Sequence, residues 1–394
     1  MQITRRKTKQ IQVGSVKIGG GAPISVQSMT IPSPSDVKAT LEQIRRLEEA
    51  GCELIRVAVP DKESARALRT IKAQMTVPLI ADIHFDHRLA LMAAEVVDCV
   101  RINPGNIGPW WKVMEVVKAV TERGIPLRIG VNAGSLDRHV LNKYGYPTAE
   151  ALAESALITV RALEDAGFTN MKVSLKASDV HMAIDAYWHF ANQSSYPLHL
   201  GITEAGTVQT GAVKSALGIG WLLMNGIGDT IRVSLAADPV EEVRVGFEIL
   251  KSLELRHRGV NVIACPTCGR VEIDVVRMAN ELERRLSHIT TPLTVSVLGC
   301  VVNGIGEGKE ADIGIAGGQG VGILFKHGKL VRKVPSEELM ETLIQEVELM
   351  AKERASEQDG RANEHDRQGS SESPFSPANQ KDLPVLSLDA ASSE

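Results

Sequence analysis

Three cysteines in the last third of the sequence have the chemistry and the spacing to bind a metal centre. Cys265 and Cys268 lie in the segment ACPTCGR, and Cys300 lies in LGCVVNGIGEG. Three thiolates leave one position of a four-ligand centre to be filled by a weaker protein ligand, such as Glu307, or by a substrate atom. An exchangeable position of this kind is typical of a catalytic centre rather than a structural one.

Two kinds of centre fit these cysteines. A Cys-x-x-Cys pair is common in structural zinc sites, and Glu307 would then be an ordinary solvated side chain of a turn. However, no second Cys-x-x-Cys pair follows, and His257 and His288 lie outside the glycine-rich segments that carry the cysteines. Glycine-rich loops allow backbone N–H groups to approach sulfur, as iron–sulfur clusters require. The sequence therefore favours an iron–sulfur cluster.

Length and composition predict a globular protein of two domains. The chain has 394 residues, of which 43% are hydrophobic, enough for one large core and one smaller core. No apolar run approaches the roughly 20 residues of a membrane helix, and the basic start is not followed by an apolar signal core. We therefore expect a cytoplasmic protein with no membrane segment. Cys52 and Cys99 lie in apolar strand-like runs, which predicts buried and inert thiols.

The net charge of −4 resides in the C-terminal tail. Residues 351–394 contain nine Asp and Glu against five Lys and Arg, so the rest of the chain is neutral. A neutral body argues against nucleic acid as a partner and favours a small anionic ligand. After about Glu357 the composition shifts to Ser, Asn, Gln, Asp and Pro without periodicity. This predicts a disordered acidic tail over 353–394.

Eight short apolar runs alternate with segments of helical periodicity in the first 240 residues. This alternation predicts a (β/α)8 TIM barrel over residues 1–255, which is the usual length of that fold. An open doubly wound sheet is the alternative, but no G-x-G-x-x-G turn follows the first strand. Several helical segments end at Gly, as helix C-caps do.

Polar residues late in these strands predict an active site, because barrel enzymes place theirs at the carboxyl ends of the strands. Five cations that converge on one mouth would repel one another unless an anion of several charges lies between them, and this predicts a diphosphate site. The cations are Arg56, Arg101, Arg128, Lys176 and Arg232, and the uncharged or acidic residues beside them are Gln27, Thr30, Asp82, His84, Asn103, Asn132, Ser174, Thr203, Glu204 and Ser234.

Three of these residues have open roles. Asp82 is expected to orient an Arg rather than to act as an acid. His84 is either a core histidine bonded to a carbonyl or a ligand contact at the mouth. Glu204 is either a counter-ion of the cations or a group that donates or accepts a proton.

The segment 256–352 predicts a small α+β domain. The strand run VNVIA leads into the Cys265 loop, and the run LTVSVLG leads into the Cys300 loop. If these strands are neighbours in one sheet, both cysteine loops lie at the same edge. An amphipathic helix, SEELMETLIQEVELMAKE, is expected to pack its apolar stripe on this sheet.

The chain shares many segments with one enzyme family. They are CPTCGR and GCVVNGIGEG around the cysteines, and RVAVP, ADIHF, RINPGN, RIGVNAGSL, VSLKAS, GITEAG and RVSLAADP in the barrel. From about residue 3 to residue 350 the chain resembles the bacterial two-domain 4-hydroxy-3-methylbut-2-enyl diphosphate synthases. No motif position departs from the family pattern.

The resemblance implies an activity and partners. Members of the family convert 2-C-methyl-D-erythritol 2,4-cyclodiphosphate into the allylic diphosphate, by two-electron reduction with loss of water, in the non-mevalonate isoprenoid pathway. A flavodoxin or ferredoxin supplies the electrons. The resemblance also implies a homodimer in which the cluster domain of one subunit closes over the barrel of the other.

The resemblance further implies roles for single residues. A [4Fe-4S] cluster would be bound by Cys265, Cys268 and Cys300, with Glu307 as the displaceable fourth ligand and Asn303 nearby. The residues implied to hold the substrate diphosphate are Arg56, Arg128, Asn132, Lys176, Thr203, Arg232 and Ser234. Glu204 is then the candidate proton donor.

Two alternatives from other classes remain. One is a barrel enzyme of anionic substrates with a structural zinc domain, similar to pterin-binding barrels in its DIHF-type strand. The other is a non-catalytic metallo-scaffold that docks a partner through the small domain. Iron–sulfur proteins are brown whereas zinc is colourless, so the colour of anaerobically purified protein distinguishes both from the redox enzyme.

Overall fold

The computed structural model describes residues 3–136, 138–300, 302 and 310–368, with side chains to residue 357. The chain divides into two compact units between Arg258 and Gly259, whereas the sequence placed the boundary after residue 255. The first unit begins with an antiparallel hairpin of β1 (Ile11–Val13) and β2 (Val16–Ile18).

Eight parallel strands follow the hairpin and form a barrel. Strand β10 pairs with both β3 and β9, and a single bridge between Val173 and Leu198 joins β8 to β9, which closes the ring. The predicted (β/α)8 barrel is therefore confirmed, and the open doubly wound sheet is excluded. The strands are β3 (Ser25–Met29), β4 (Leu54–Ala58), β5 (Leu79–Ile83), β6 (Cys99–Ile102), β7 (Leu127–Asn132), β8 (Met171–Lys176), β9 (His199–Leu200) and β10 (Thr230–Ile231).

Helices connect the strands and cover the barrel. Asp side chains accept hydrogen bonds from the first turns of five of them, and Gly51, Gly124, Gly167 and Gly226 follow helix ends in the left-handed conformation that the sequence predicted. The helices are α1 (Val37–Glu49), α2 (Lys62–Lys72), α3 (His87–Ala94), α4 (Pro104–Ile107), α5 (Trp110–Glu122), α6 (Arg138–Tyr144), α7 (Ala149–Asp165), α8 (Val180–Ala191), α9 (Val208–Met224) and α10 (Pro239–Ser252).

Strand alternation separates an apolar outer core from a polar lumen. On β7, Leu127 and Ile129 belong to the core between strands and helices, while Arg128 and Gly130 point into the barrel. The same period of two on each strand sends apolar residues outward and polar residues inward. The hydrophobic effect thus holds the shell together and leaves the lumen available for charged side chains.

The hairpin of β1 and β2 supplies an apolar floor for the barrel. Its residues Ile11, Val13 and Ile18 pack with Leu54 and Cys99, which lie at the amino ends of their strands. Cys99 is fully buried, and burial raises the pKa of its thiol. Burial also raises the pKa of Cys52, to about 12. Both thiols therefore stay protonated, which confirms them as buried and inert.

The second unit contains a five-stranded sheet in the order β11–β12–β13–β14–β15. The first three strands are parallel and the last two are antiparallel to their neighbours. Apolar residues of both helices, including Leu343 and Val347, pack with the sheet as predicted. The elements are β11 (Val260–Ala264), α11 (Val275–Arg285), β12 (Leu293–Leu298), β13 (Ile313–Ala316), β14 (Val321–Lys326), β15 (Lys329–Pro335) and α12 (Leu339–Gln368).

The last helix extends further than the sequence analysis expected. Helix α12 reaches Gln368, although residues 353–368 were assigned to the disordered tail. Its described buried residues end at Ala351. Residues 369–394 lie outside the described part of the chain. Among the helices of the described residues, none is both long and apolar enough to cross a lipid bilayer.

Candidate active site

The lumen of the barrel contains an ion pair network centred on Asp82. Arg101 Nη1 donates to Asp82 Oδ1 at 2.8 Å, and Arg56 Nε lies 3.7 Å from Asp82 Oδ2. Burial alone would raise the pKa of Asp82, but the charges of Arg56 and Arg101 outweigh it and hold that pKa well below its usual range. Asp82 is therefore an ionised partner that orients two arginines, as the sequence predicted.

Arg56 also donates to a neighbouring sulfur. Its Nε and Nη2 lie 3.1 and 2.9 Å from Met29 Sδ on the adjacent strand β3. Burial lowers the pKa of Arg56 to about 10, and the charge of Asp82 acts in the opposite direction. The guanidinium remains charged at neutral pH. Because a thioether sulfur is a weak hydrogen-bond acceptor, an anionic ligand can replace it as the partner of Arg56.

His84 lies at the mouth rather than in the core. Its side chain is 38% exposed, its Nε2 accepts from Arg101 Nη1 at 2.7 Å, and its Nδ1 lies 3.3 Å from the Asn106 amide. The interpretation as a core histidine is wrong, because the ring is held by an arginine and an amide at the carboxyl end of β5. Its remaining exposed edge is available for a ligand contact.

Arg128 is the most deeply buried cation of the site. Its Nε and Nη2 donate to Ser174 Oγ at 3.2 and 3.0 Å, while Nη1 has no hydrogen-bond partner among the described residues. Burial, followed by the positive charges of Arg56 and Arg101, lowers the pKa of Arg128 well below its usual value. An anion in the lumen would relieve both the unpaired donor and the repulsion.

Lys176 lies buried at the carboxyl end of β8. Its ammonium makes no hydrogen bond or ion pair with any residue that the structure describes, although its side chain is only 4% exposed. Burial, then the charges of Arg128 and Arg232, lower the pKa of Lys176 well below that of an exposed lysine. A buried ammonium without an acceptor is costly, which marks this position for an anionic ligand.

Two glycines make room for these cations, and the sequence analysis did not single them out. A Cβ on Gly201 would lie 2.7 Å from Lys176 Nζ, and a Cβ on Gly130 would lie 2.5 Å from Arg101 Nε. Both glycines occupy lumen-facing positions of strands or strand ends. The sequence did contain a signal for them: a glycine at an inward-facing strand position, between apolar residues that face outward, often marks a place where another group approaches the backbone closely.

Glu242 is a second site residue that sequence reasoning missed. Its carboxylate accepts from Arg232 Nε and Nη2 at 3.3 and 3.0 Å, from Ser28 Oγ at 2.7 Å and from the Leu235 backbone N–H at 3.2 Å. It lies on the buried face of α10 and is 3% exposed. Glu242 therefore fixes the guanidinium of Arg232 to the barrel wall.

The remaining predicted barrel residues surround the lumen at different depths. Asn103 donates to Ser135 Oγ at 2.6 Å and caps α4, while Asn132, Thr203 and Ser234 are half-buried. Glu204 is exposed, has a left-handed φ of 54° and forms no ion pair with a described residue. The counter-ion role considered for Glu204 is therefore not seen, since Asp82 and Glu242 fill it. Gln27 and Thr30 are buried; Thr30 follows the carboxyl end of β3, whereas Gln27 lies in the middle of that strand rather than late in it.

The two cysteine loops lie side by side in the second unit. Strands β11 and β12 are parallel neighbours, with Ala264 in register with Val297, and Cys265 and Cys300 follow their carboxyl ends. The Gly299 backbone N–H donates to Cys265 Sγ at 3.1 Å. A side chain on Gly299 would clash with Val271 at 2.9 Å, so this approach requires glycine. The predicted juxtaposition of the two loops is confirmed.

The donor set is compatible with an iron–sulfur cluster. Cys265, Cys268 and Cys300 are free thiols, half-buried or exposed, and one already receives an N–H···S hydrogen bond. The described side chains do not include three His, Cys, Asp or Glu residues already arranged around a metal position. Asn303 and Glu307, the other residues expected here, lie outside the described residues.

Both units match the models of one protein family. Residues 8–247 match the GcpE TIM-barrel domain, and residues 261–349 match the GcpE protein C-terminal domain. The chain belongs to the GcpE family. The match covers the cationic barrel and the sheet that carries the cysteines.

Curated relatives of this GcpE protein carry one enzyme name, 4-hydroxy-3-methylbut-2-en-1-yl diphosphate synthase (flavodoxin). The relative from Geobacter sulfurreducens is 57% identical over 89% of this chain and 99% of its own length. That from Caldanaerobacter subterraneus subsp. tengcongensis is 58% identical over 89% of this chain and 99% of its own. That from Bacillus cytotoxicus is 56% identical over 91% and 98%.

Solved structures similar to the GcpE barrel are distant in sequence. Type I 3-dehydroquinate dehydratase from Clostridium difficile aligns with a TM-score of 0.46 and 14% identity, covering 62% of this chain and 98% of that chain. Dihydropteroate synthase from Yersinia pestis aligns with a TM-score of 0.46 and 12% identity, covering 63% and 100%.

Proposed function

We propose that this protein is a 4-hydroxy-3-methylbut-2-en-1-yl diphosphate synthase that takes its electrons from a flavodoxin. Its substrate is 2-C-methyl-D-erythritol 2,4-cyclodiphosphate, which it opens and dehydroxylates by two-electron reduction. The observation that carries this proposal is the excess of buried cations in the lumen: Arg56 and Arg101 pair with one ionised carboxylate, Asp82, while Arg128 and Lys176 have no carboxylate partner among the described residues. Family membership over both units supplies the reaction class.

The barrel residues bind and orient the substrate in this proposal. Lys176 and the free Nη1 of Arg128 donate to phosphate oxygens. Arg232, whose Nε and Nη2 are bound to Glu242, offers its remaining Nη1 from the carboxyl end of β10. Asn132, Thr203 and Ser234 add uncharged donors at the rim. Because these side chains are fixed by strands and by buried carboxylates, little ordering remains to be done on binding.

The second unit would hold a [4Fe-4S] cluster in this proposal. Cys265, Cys268 and Cys300 would be its thiolate ligands and Glu307 its oxygen ligand, and the resemblance of the sequence motif assigns Asn303 to the same site. When bound, such a cluster supplies the electrons that break the carbon–oxygen bond. The Gly299 N–H on Cys265 Sγ stabilises the thiolate, and Glu204, exposed at the mouth, is the candidate proton donor.

We further propose that the protein is a cytoplasmic homodimer. An exposed apolar stripe on the outside of the barrel supports association: Val213, Leu217, Trp221 and Met224 recur on one side of α9, and Trp188 of α8 packs against Trp221 at 5.5 Å between ring centroids. Exposed patches of this kind are typical of interfaces. Sedimentation of wild type and of Leu217→Glu tests this, because the charged variant should become monomeric.

Anaerobic turnover tests the function. Protein purified without oxygen should be brown, contain iron and sulfide, and release the allylic diphosphate when given the cyclodiphosphate and a reduced flavodoxin. Reduced ferredoxin in place of flavodoxin tests the other carrier. Colourless, zinc-containing protein would support the structural-zinc alternative, and brown protein without turnover would contradict the assigned substrate.

A further inference from the structure

A second group of polar side chains lies in the barrel lumen, towards its floor. All are buried, and each has a polar atom without a hydrogen-bond partner in the part of the chain that the structure describes. The atoms are Lys172 Nζ, His199 Nδ1 and Nε2, Thr230 Oγ1, Ser25 Oγ and both amide atoms of Gln27. Unpaired buried polar atoms are rare in native proteins, so their concentration here requires an explanation.

Strand register places three of these side chains next to one another, and Lys172 lies one inward-facing position nearer the floor. Ser25 on β3 pairs with Thr230 on β10, and Thr230 pairs with His199 on β9. On the next strand, β8, the bridge between Val173 and Leu198 sets Ser174 opposite His199. Lys172 therefore lies two residues nearer the amino end of β8, in register with Arg128 of β7. Burial, followed by the positive charges of Arg128, Lys176 and Lys172, lowers the pKa of His199 well below its usual value. Two hydroxyls, a neutral imidazole and an ammonium thus line one side of the lumen.

This group lies nearer the floor than Lys176, although Lys172 is in register with Arg128 on the neighbouring strand β7. Lys172 precedes Lys176 by four residues on β8, about 13 Å along a parallel strand. Below it, Cys99 belongs to the apolar floor formed with the β1–β2 hairpin. We call Lys172, His199, Thr230 and Ser25 the lower chamber. Apolar side chains lie beneath it, and Arg128 lies beside Lys172 on β7.

The charge of the lumen is unbalanced even when the mouth is filled. Arg232 and Glu242 neutralise each other and are left out of the count. The other described charges that face the lumen are one buried carboxylate, Asp82, and five buried cations: Arg56, Arg101, Arg128, Lys172 and Lys176. A cyclic diphosphate brings two negative charges, which leaves positive charge uncompensated. Burial lowers the pKa of Lys172 to about 8, so its ammonium is still the main form at neutral pH. A buried ammonium of this kind needs an anionic acceptor.

We propose that the lower chamber binds one small inorganic anion of the size and charge of chloride, held by Lys172 Nζ with donors from His199, Thr230 and Ser25. Such an anion accepts hydrogen bonds from all four side chains and offsets the repulsion between Lys172 and Arg128. A water molecule can occupy the same donors, but it leaves the ammonium charge unmatched. The bound anion stabilises the folded barrel whether or not substrate is present.

Thermal unfolding at constant ionic strength tests this proposal. At about pH 7, exchange of gluconate for chloride or bromide should raise the Tm of anaerobically prepared wild-type protein by about 2 °C or more. Lys172→Met has a side chain of similar length and no charge, so its Tm should not respond to halide. The matched control is Lys118→Met, at an exposed position of α5, which should respond like wild type. An equal response of Lys172→Met would show a general salt effect and overturn the proposal.

Crystallography of the wild type tests it without a variant. Crystals grown in bromide should show an anomalous peak within hydrogen-bond distance of Lys172 Nζ. Density without anomalous signal would identify water there and overturn the proposal. The halide response of the Tm should also disappear well above pH 8, where Lys172 loses its proton. None of these readouts uses turnover, so their failure is distinct from failure of the proposed function.

Discussion

The barrel lumen and the cysteine loops prepare for their ligands in different ways. In the lumen, buried carboxylates and a hydroxyl already hold the cations in place: Asp82 holds Arg101, Glu242 holds Arg232 and Ser174 holds Arg128. At the cysteine loops, the described partner of a thiol is a single backbone N–H, and Cys268 is exposed. The proposed substrate site is therefore preorganised by the fold, whereas the proposed cluster site would be completed only by its cofactor.

The largest expected effect comes from the cysteines. Cys265→Ser, Cys268→Ser and Cys300→Ser should each abolish cluster binding and reduce activity below detection, because a neutral hydroxyl is a poor replacement for a thiolate. Iron and sulfide content and the visible spectrum measure the result. The controls are Cys52→Ser and Cys99→Ser, which should keep the cluster because those thiols are buried in the barrel. Full iron content in any of the first three variants would remove that residue from the ligand set.

Substitutions in the barrel lumen should change substrate binding without changing the cluster at the cysteine loops. Arg56→Ala and Lys176→Ala should raise KM for the substrate about 10- to 100-fold, since each removes one charge-assisted contact to phosphate. The cluster spectrum should stay unchanged, because the barrel holds its cations independently of the cysteines. An exposed lysine provides the control, since Lys118→Ala should leave KM unchanged. Unchanged KM in both lumen variants would remove the diphosphate from this site.

Alkaline pH should weaken substrate binding through Lys176. Because burial and neighbouring cations lower its pKa, Lys176 loses its proton at a lower pH than an exposed lysine does, and the lumen then loses a positive charge. Calorimetric affinity for the substrate should fall as the pH rises from about 7 to about 10. Lys176→Arg keeps its charge over this range and should show a flatter profile. Equal profiles for the two proteins would assign the pH dependence to another group.

Glu242→Gln should have a smaller effect than loss of a cation. The amide keeps the shape but loses the charge that fixes Arg232, so KM should rise about 5-fold with little change in kcat. Glu248→Gln, on an exposed position of the same helix, is the control. A fall in kcat without a change in KM would mean that Glu242 does not act through the binding of substrate.

The sequence predicted the barrel because eight strands and their helices follow local periodicity. It also predicted Arg56, Arg101, Arg128 and Lys176 as inward cations, since a period of two fixes the face of each strand. It did not predict Glu242, because this residue comes from a helix and its contact with Arg232 depends on how that helix packs. The lower chamber was likewise missed: the period of two also turns Lys172 inward, but the sequence analysis considered only polar residues late in each strand.

The smallest effect is expected from the tail. The alignments with two relatives cover 99% of the relatives' own length but only 89% of this chain. These relatives therefore have no counterpart of the tail. The described buried residues of α12 end at Ala351. Deletion of residues 369–394 should therefore change activity less than about twofold and leave the Tm unchanged within about 1 °C, because surface changes away from packed contacts have small effects.

A deletion within the packed part of α12 sharpens this test. Removal of residues 343–394 also takes away Leu343, Ile344 and Val347, which are buried against the sheet that carries the cysteine loops. That variant should lose several kcal/mol of apolar burial and unfold the second unit, with loss of bound iron. If the shorter deletion had the same effect, the tail would have to pack on the protein, and its composition would have been misread. If neither deletion affected iron content, the cluster would not depend on the packed sheet. The contrast between a barrel lumen preorganised by its own side chains and a cysteine site that is completed by its cofactor on that sheet would then fail.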